Sequence, residues 1–348
     1  MKILMPINNW LGGTHGFVVK AFKELGHEVE VCPLDSEKGL YPLIYHLKLR
    51  QIKKIETYLA KQMSDVYNRK MLSLVEQFKP DLFFSLNCRW LYPGTLRYIK
   101  ERCRICTVCW VADNPFDSTR FKYFPHTLKF FDYLFLGDMI WRQNVANLAP
   151  QAKIYHLLGA YDPDSFKPVQ VTAGDREVYG CNLAFAGSAY GEKAEGVYRS
   201  GILAQVAHFG LKIWGDDAWD KQYKYYPELE LAFQGDRLDF PALNKMYQIA
   251  NINLNIPNPQ CFTTFQQRLF EIAAAKGFQI VDYRKDIDTL FSKDDVVTFK
   301  SIADLKDKVA FFLKNPGERT GYINNIYEKM KDNHTYKDRM QEMLKKIS

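Results

Sequence analysis

The chemistry in this sequence gathers in a few short stretches. Arg268 and Glu271 stand three residues apart in Arg268-Leu-Phe-Glu-Ile-Ala-Ala-Ala-Lys-Gly277, a spacing that puts a guanidinium and a carboxylate on one face of a helix. Taken alone, such a pair is either a binding site for an anion and hydroxyls or a surface ion pair. Gly187-Ser188 follows an apolar run, and small residues there let backbone N–H groups approach an anion; Lys193 could add charge. Asp113, in Val111-Ala-Asp-Asn-Pro115, follows another apolar run. It is a candidate general base or the head of an Asx turn before Pro115. His15, in Gly12-Gly13-Thr-His-Gly16, is the rival base, because imidazole titrates near neutrality. Hydrogen bonding within its loop is the alternative.

Two patterns suggest metal chemistry. Cys103, Cys106 and Cys109 have the interval of an iron–sulfur site, with Cys88 as a distant fourth ligand. Yet Ile105–Val111 reads as a buried strand, in which Cys106 and Cys109 point to opposite faces. Small apolar core residues are therefore expected. Asp162-Pro-Asp164 and Asp286-Ile-Asp288 match a metal-holding Asp-x-Asp. The first falls in a linker and the second near a helix start, where a cap is expected.

The elements that must position these residues alternate. In the first half, apolar runs at Ile3–Ile7, Glu28–Cys32, Asp81–Leu86, Ile105–Val111, Tyr133–Leu136 and Ile154–Leu158 predict strands. Helical patterns at Phe17–Leu25 and roughly Tyr41–Phe78 lie between them. Residues 159–180 collect Gly, Pro and Asp and read as a connection. Strands then recur at Asn182–Ala186, Leu211–Trp214, Ile252–Ile256 and Gln279–Asp282, with helices over Val197–Phe209, Leu243–Ile249, Gln267–Ala275, Leu305–Leu313 and Glu318–Leu344. Such alternation argues for parallel sheets covered on both faces.

Length and composition agree. At roughly 100–200 residues per domain, 348 residues suggest two, with ordinary globular fractions of 47% apolar and 25% charged residues. We expect domains at 1–165 and 166–330, with a helix over 331–348 packing back toward the first. The net charge is +7, and all of it lies early: residues 1–168 hold 23 Lys+Arg and 16 Asp+Glu, residues 169–348 hold 24 of each. An anionic partner for the first half follows, whether substrate, nucleic acid or membrane surface. Tyr41–Lys54, mixing aromatic and basic residues, is either a helix lying on an anionic membrane or the solvated face of a core helix. The apolar N-terminus is too short for a signal peptide and no stretch approaches a membrane span. Seven scattered cysteines fit a reducing compartment, so a cytoplasmic protein is expected, either free or peripheral at the inner face of the membrane.

Residues 180–340 resemble the donor half of the glycosyltransferase-B (GT-B) fold, in particular the spore-maturation-type (CgeB-like) glycosyltransferases. The resemblance is carried, in order, by Phe185-Ala-Gly-Ser188, Lys193, Leu211-Lys-Ile-Trp-Gly215, Phe233-Gln-Gly-Asp236, Leu243-Asn-Lys-Met-Tyr247, Ile252-Asn-Leu-Asn255, Arg268 through Gly277, Ile280-Val-Asp282 and His334-Thr-Tyr-Lys-Asp-Arg339. Trp110 through Pro115 resembles the strand end that bears the catalytic aspartate in phage DNA glucosyltransferases. The resemblance implies an α/β architecture of two Rossmann-like doubly wound domains facing each other across a cleft. It implies transfer of a sugar from a nucleotide-diphosphate sugar, most simply a UDP-sugar, to a hydroxyl acceptor on protein, glycan or lipid carrier, without metal or other cofactor. Gly187, Ser188, Lys193, Gly215, Gly235, Thr263, Thr264, Arg268 and Glu271 would bind the donor, Glu271 taking the ribose diol and Arg268 the diphosphate. Asp113 or His15 would be the base, with Gly12, Gly13 and Asn114 on the acceptor side. Thr263 stands where many retaining members carry a second glutamate, and Lys193 where arginine is frequent. A DNA glycosyltransferase, a non-catalytic sugar-binding coat protein and a nucleotide-sugar epimerase are the alternatives.

Overall fold

The computed structural model describes residues 1–7, 13–34, 53–117, 123–191 and 193–347. Gly12 and residues 41–52, which include most of the aromatic-basic segment, lie outside them. The chain divides into two compact units, Met1–Leu158 with Tyr336–Ser348, and Gly159–Thr335.

Among the described residues the first unit holds six strands: β1 (Lys2–Ile7), β2 (Glu28–Pro33), β3 (Leu82–Leu86), β4 (Cys106–Val111), β5 (Tyr133–Leu136) and β6 (Lys153–His156). They pair in the order β2-β1-β3-β4-β5-β6, all parallel. β3 is buried at every residue, as a strand covered by helices on both faces must be. Helices Thr14–Glu24 and Lys53–Phe78 connect the early strands. Helix Tyr336–Ile347, at the far end of the chain, packs here: Tyr336 lies 5.3 Å from the Phe17 ring and 6.4 Å from Trp110.

The second unit repeats the plan. β7 (Leu183–Ala186), β8 (Leu211–Trp214), β9 (Phe233–Gly235), β10 (Ile252–Asn255), β11 (Gln279–Asp282) and β12 (Val297–Phe299) form a parallel sheet in the order β12-β11-β10-β7-β8-β9. The expected α/β doubly wound architecture is thus present in both units. Each sheet reverses its winding once, between β1 and β3 in the first and between β7 and β10 in the second. Crevices outside the carboxyl ends of strands at such reversals are where these folds bind ligands.

Three sequence expectations change. The single helix over Glu318–Leu344 is two, Arg319–Met330 and Tyr336–Ile347. The break at Asp332-Asn-His-Thr335 comes where His334 adopts a left-handed φ of 64° and stacks on Phe270 at 5.0 Å. The 159–180 connection contains a helix, Ala173–Tyr179, started by a capping box between Thr172 and Asp175. The edge strands β9 and β12, three residues each, are too short for periodicity to reveal.

Cys106 opens β4, and Cys109 is fully buried beside Cys88 in the apolar core. Burial pushes the Cys106 thiol up to about 11 and Cys88 to about 12. Cys88 and Cys109 pack as small hydrophobes in the core, and among the described residues no three His, Cys, Asp or Glu side chains gather that could hold a metal. Among the described residues no helix is long and apolar enough to cross a membrane.

Candidate functional site

At the reversal of the second sheet, β7 ends in Ala186 and runs into Gly187-Ser188. Gly187 donates its N–H to the Trp214 carbonyl at 2.9 Å, and Gly215 donates to the Gly235 carbonyl at 3.1 Å. The three glycines therefore line the carboxyl ends of β7, β8 and β9. Each is small for its own reason. A Cβ on Gly187 would come within 3.2 Å of Arg268 Nη2 and 3.1 Å of the Phe185 ring, one on Gly215 would run into the Trp219 indole, and Gly235 takes a φ of 124°.

Arg268 is the first residue of helix Arg268–Ala274. Its guanidinium carbon sits 5.5 Å from the centroid of the Phe185 ring. Arg199, from helix Ala194–Ala204, lies 5.2 Å from the centroid of the same ring and 5.0 Å from that of Tyr190. Arg199 is 1% exposed. It donates through Nη1 to the Ser188 carbonyl at 2.6 Å and through Nη2 to the Ile256 carbonyl at 3.0 Å. The guanidinium so bridges the ends of β7 and β10, on the reversal itself. Burial pulls it down to about 10, with the like charge of Arg268 acting the same way against Tyr190; it remains a cation at neutral pH.

No carboxylate bonds either arginine among the described residues. Arg199 Nε and Arg268 Nε and Nη1 are buried N–H groups without a hydrogen-bond acceptor. A buried unpaired donor costs roughly 1–3 kcal/mol, and more on a charged group. The nearby acid is Glu271, one helical turn beyond Arg268 and 6% exposed. Burial pushes its carboxyl up to about 7, against the pull of Arg268 and a hydrogen bond from Gln267. The buried Arg199 and the half-buried Arg268 therefore leave an excess of positive charge here while Glu271 is protonated.

The other expected donor residues surround it unevenly. Ser188 accepts from the Tyr190 N–H at 3.0 Å and bonds Asp216, itself paired with Arg237 at 2.6 Å. Thr264 is buried, and Thr263 ties to Asp286 through side chain (3.3 Å) and backbone (2.9 Å). Lys193 is exposed at the start of helix Ala194–Ala204. The cation buried at this strand end is Arg199, which sequence reasoning missed. A signal existed: at helical spacing Arg199 shares a face with Ile202 and Leu203, both buried, and a charge on an apolar stripe marks a site.

In the first unit, a cavity at the β1–β3 reversal is lined by Pro6, Ile7, His15, Asn87, Arg89 and Trp90, among others. His15 stands in the first turn of helix Thr14–Glu24, whose N-cap, Gly13, has a φ of 86°. Burial holds its imidazole down to about 4, so it is a neutral acceptor at working pH. Asp113 lies just past β4, its Oδ2 accepting from Asn87 Nδ2 at 3.0 Å. At Pro115 an Asx turn is made by Asn114, whose Oδ1 accepts from the Phe116 N–H at 3.0 Å. Asn87 thus touches Asp113 and lines the cavity that holds His15. Of the Asp-x-Asp pairs, Asp162 caps the Ser165 turn (2.8 and 3.0 Å) and Asp288 accepts from Tyr283 at 2.6 Å. No three His, Cys, Asp or Glu side chains gather as a metal site among the described residues.

Residues 177–345 match the model of a glycosyl transferase-like family. No curated protein matches the sequence. Among solved structures, sucrose-phosphate synthase from Thermosynechococcus elongatus superposes with a TM-score of 0.69 at 9% identity, covering 100% of this chain and 99% of that one. HepE of Anabaena, crystallised with UDP-glucose, gives 0.64 at 12% identity over 100% and 99%. The N-terminal domain of trehalose-6-phosphate phosphatase from Candida albicans gives 0.69 at 10% over 99% and 96%. At these identities the likeness concerns the fold, which is GT-B.

Proposed function

We propose that this chain, a glycosyltransferase by the family match of its C-terminal half and by its fold, takes its sugar from a nucleoside diphosphate sugar, with UDP as the nucleotide. One observation carries the reading: the buried Arg199 and the half-buried Arg268 flank Phe185, and three of their N–H groups, themselves buried, lack an acceptor. A diphosphate supplies the missing anion, and Gly187 leaves it room. Glu271, once ionised, accepts the two ribose hydroxyls. HepE, which shares the fold, was crystallised with UDP-glucose, and the spore-maturation-type pattern quoted above points the same way.

The chemistry follows from charge. As the acceptor oxygen bonds to the anomeric carbon, the sugar–phosphate bond breaks and its electron pair leaves on the diphosphate oxygen. The Arg199 and Arg268 charges, fixed before the reaction, stabilise that developing charge where a metal ion otherwise would. The acceptor's proton passes to Asp113. The +7 surplus of residues 1–168 suits an acidic acceptor, or an acidic membrane surface that presents one.

Isothermal calorimetry with UDP and with uridine tests the donor site. Wild-type protein binds UDP much more tightly than uridine. Arg268→Ala erases that difference, and Glu271→Ala weakens both ligands while the circular dichroism spectrum stays native. Equal affinity of the wild type for UDP and uridine would show that the arginines do not hold the diphosphate.

A further inference from the structure

Asn87 follows β3 and makes four hydrogen bonds to the end of β4. Its N–H donates to the Trp110 carbonyl at 3.0 Å. Its Oδ1 accepts from the Ala112 and Asp113 N–H groups at 2.9 and 3.2 Å. Its Nδ2 donates to Asp113 Oδ2 at 3.0 Å. The first three close a turn, and any structural asparagine could make them. The fourth does something else: it reaches the Asp113 carboxylate itself and bears on how that carboxylate is turned. Asn87 has a φ of 50°, a left-handed conformation that asparagine tolerates better than most residues. Its position is set by the sheet as well. It stands at the carboxyl end of β3, beside the reversal, and faces the cavity that also holds His15.

We infer that Asn87 is the positioning residue of the transfer reaction, aiming the Asp113 carboxylate at the acceptor hydroxyl through the Nδ2–Oδ2 hydrogen bond. The inference rests on the reading of Asp113 as the base. The acceptor O–H bond breaks as its proton moves to Asp113, and the oxygen keeps the electron pair with which it bonds to the anomeric carbon. A misdirected carboxylate slows that step and leaves donor binding, on the other unit, untouched.

The test is a double-mutant cycle. Asn87→Asp keeps the shape and the backbone but replaces the Nδ2 donor with an oxygen. Asn87→Gly keeps the left-handed φ and removes the side chain. Both are measured alone and with Asp113→Asn, following UDP release from a panel of UDP-sugars with water as the acceptor and using the sugar that wild-type enzyme turns over fastest. Each single variant is expected to lose about tenfold or more in kcat, with the donor KM within about twofold and a native melting curve. In the Asp113→Asn background neither should slow the reaction further, because residues acting as one unit are not additive. Additive losses would mean that Asn87 only supports the turn, and would overturn the inference while leaving Asp113 as base. Near-normal release by Asp113→Asn, or no release by wild-type enzyme from any UDP-sugar, removes the underlying reading and the inference with it.

Discussion

The two units reverse their sheets in the same way and furnish the reversals in opposite ways. In the second, Arg199 and Arg268 bring positive charge and unpartnered donors against Phe185, with a carboxyl that burial keeps half-protonated near neutrality. In the first, the polar groups already have one another: Asn87 bonds Asp113 and the turn that carries it, while His15 is neutral. One site leaves donors without an acceptor, which under the proposed reading a diphosphate supplies. The other is arranged and uncharged at the imidazole, as a proton-accepting site should be. Identical topology leaves the choice open, because a crevice at a strand reversal specifies a place and no chemistry.

The largest expected effect tests the charged reversal. Arg199→Met should lower UDP affinity by about 10- to 100-fold, since loss of a buried charged hydrogen-bonding partner costs roughly 2 kcal/mol or more, and should leave uridine affinity nearly unchanged. Equal losses for both ligands in calorimetry would mean that Arg199 only joins β7 to β10.

Stability against pH separates the units next, by sign. Glu271 has a folded value near 7, above its ordinary 4.5. The folded state therefore binds the extra proton. Its contribution is intact below about 4.5 and is lost as pH rises through 7. Glu271→Gln removes this slope and should stabilise the protein at pH 8 by up to about 3 kcal/mol, read from urea midpoints. UDP affinity of the wild type should rise over the same interval, as the carboxylate forms.

His15 runs the other way. Its folded value near 4 lies below the ordinary 6.5, so the unfolded chain binds the proton more readily. Stability from this group is complete above 6.5 and falls as pH drops toward 4. His15→Asn should flatten that acid limb by about 1–2 kcal/mol. A pH-independent difference from wild type would show that the imidazole is not desolvated.

The smallest effect concerns space. Gly187→Ala puts a methyl about where Arg268 Nη2 and the Phe185 ring already crowd, and UDP affinity should fall by a few-fold to tenfold, under about 1.4 kcal/mol. No change would mean that the ligand does not approach Gly187.

Much of this was legible beforehand because local pattern carried it. Ten of the twelve strands among the described residues fall where the sequence predicts them; β3 is legible because a strand buried on both faces must be apolar, and the edge strand β2 because it alternates. Arg268 and Glu271 were visible because helical spacing puts both on one face, and Gly187 because it follows a strand. The joining of helix Arg319–Met330 to Tyr336–Ile347 in the sequence reading shows where pattern fails. Both segments are helical and the residues between them are polar, so only the left-handed turn at His334 separates them.

Composition and periodicity by themselves determined the alternation of strand and helix, the basic first half, and the residue types available for binding and proton transfer. They could do so because backbone hydrogen bonding and burial act over a few residues. What only the tertiary structure decided is which of these groups lack partners. Arg199 meets Phe185, Ser188 and Ile256, and Asn87 meets Asp113 from 26 positions away. Whether a charge is paired depends on contacts between distant segments, and parallel strand order brings those segments together only when the sheet forms.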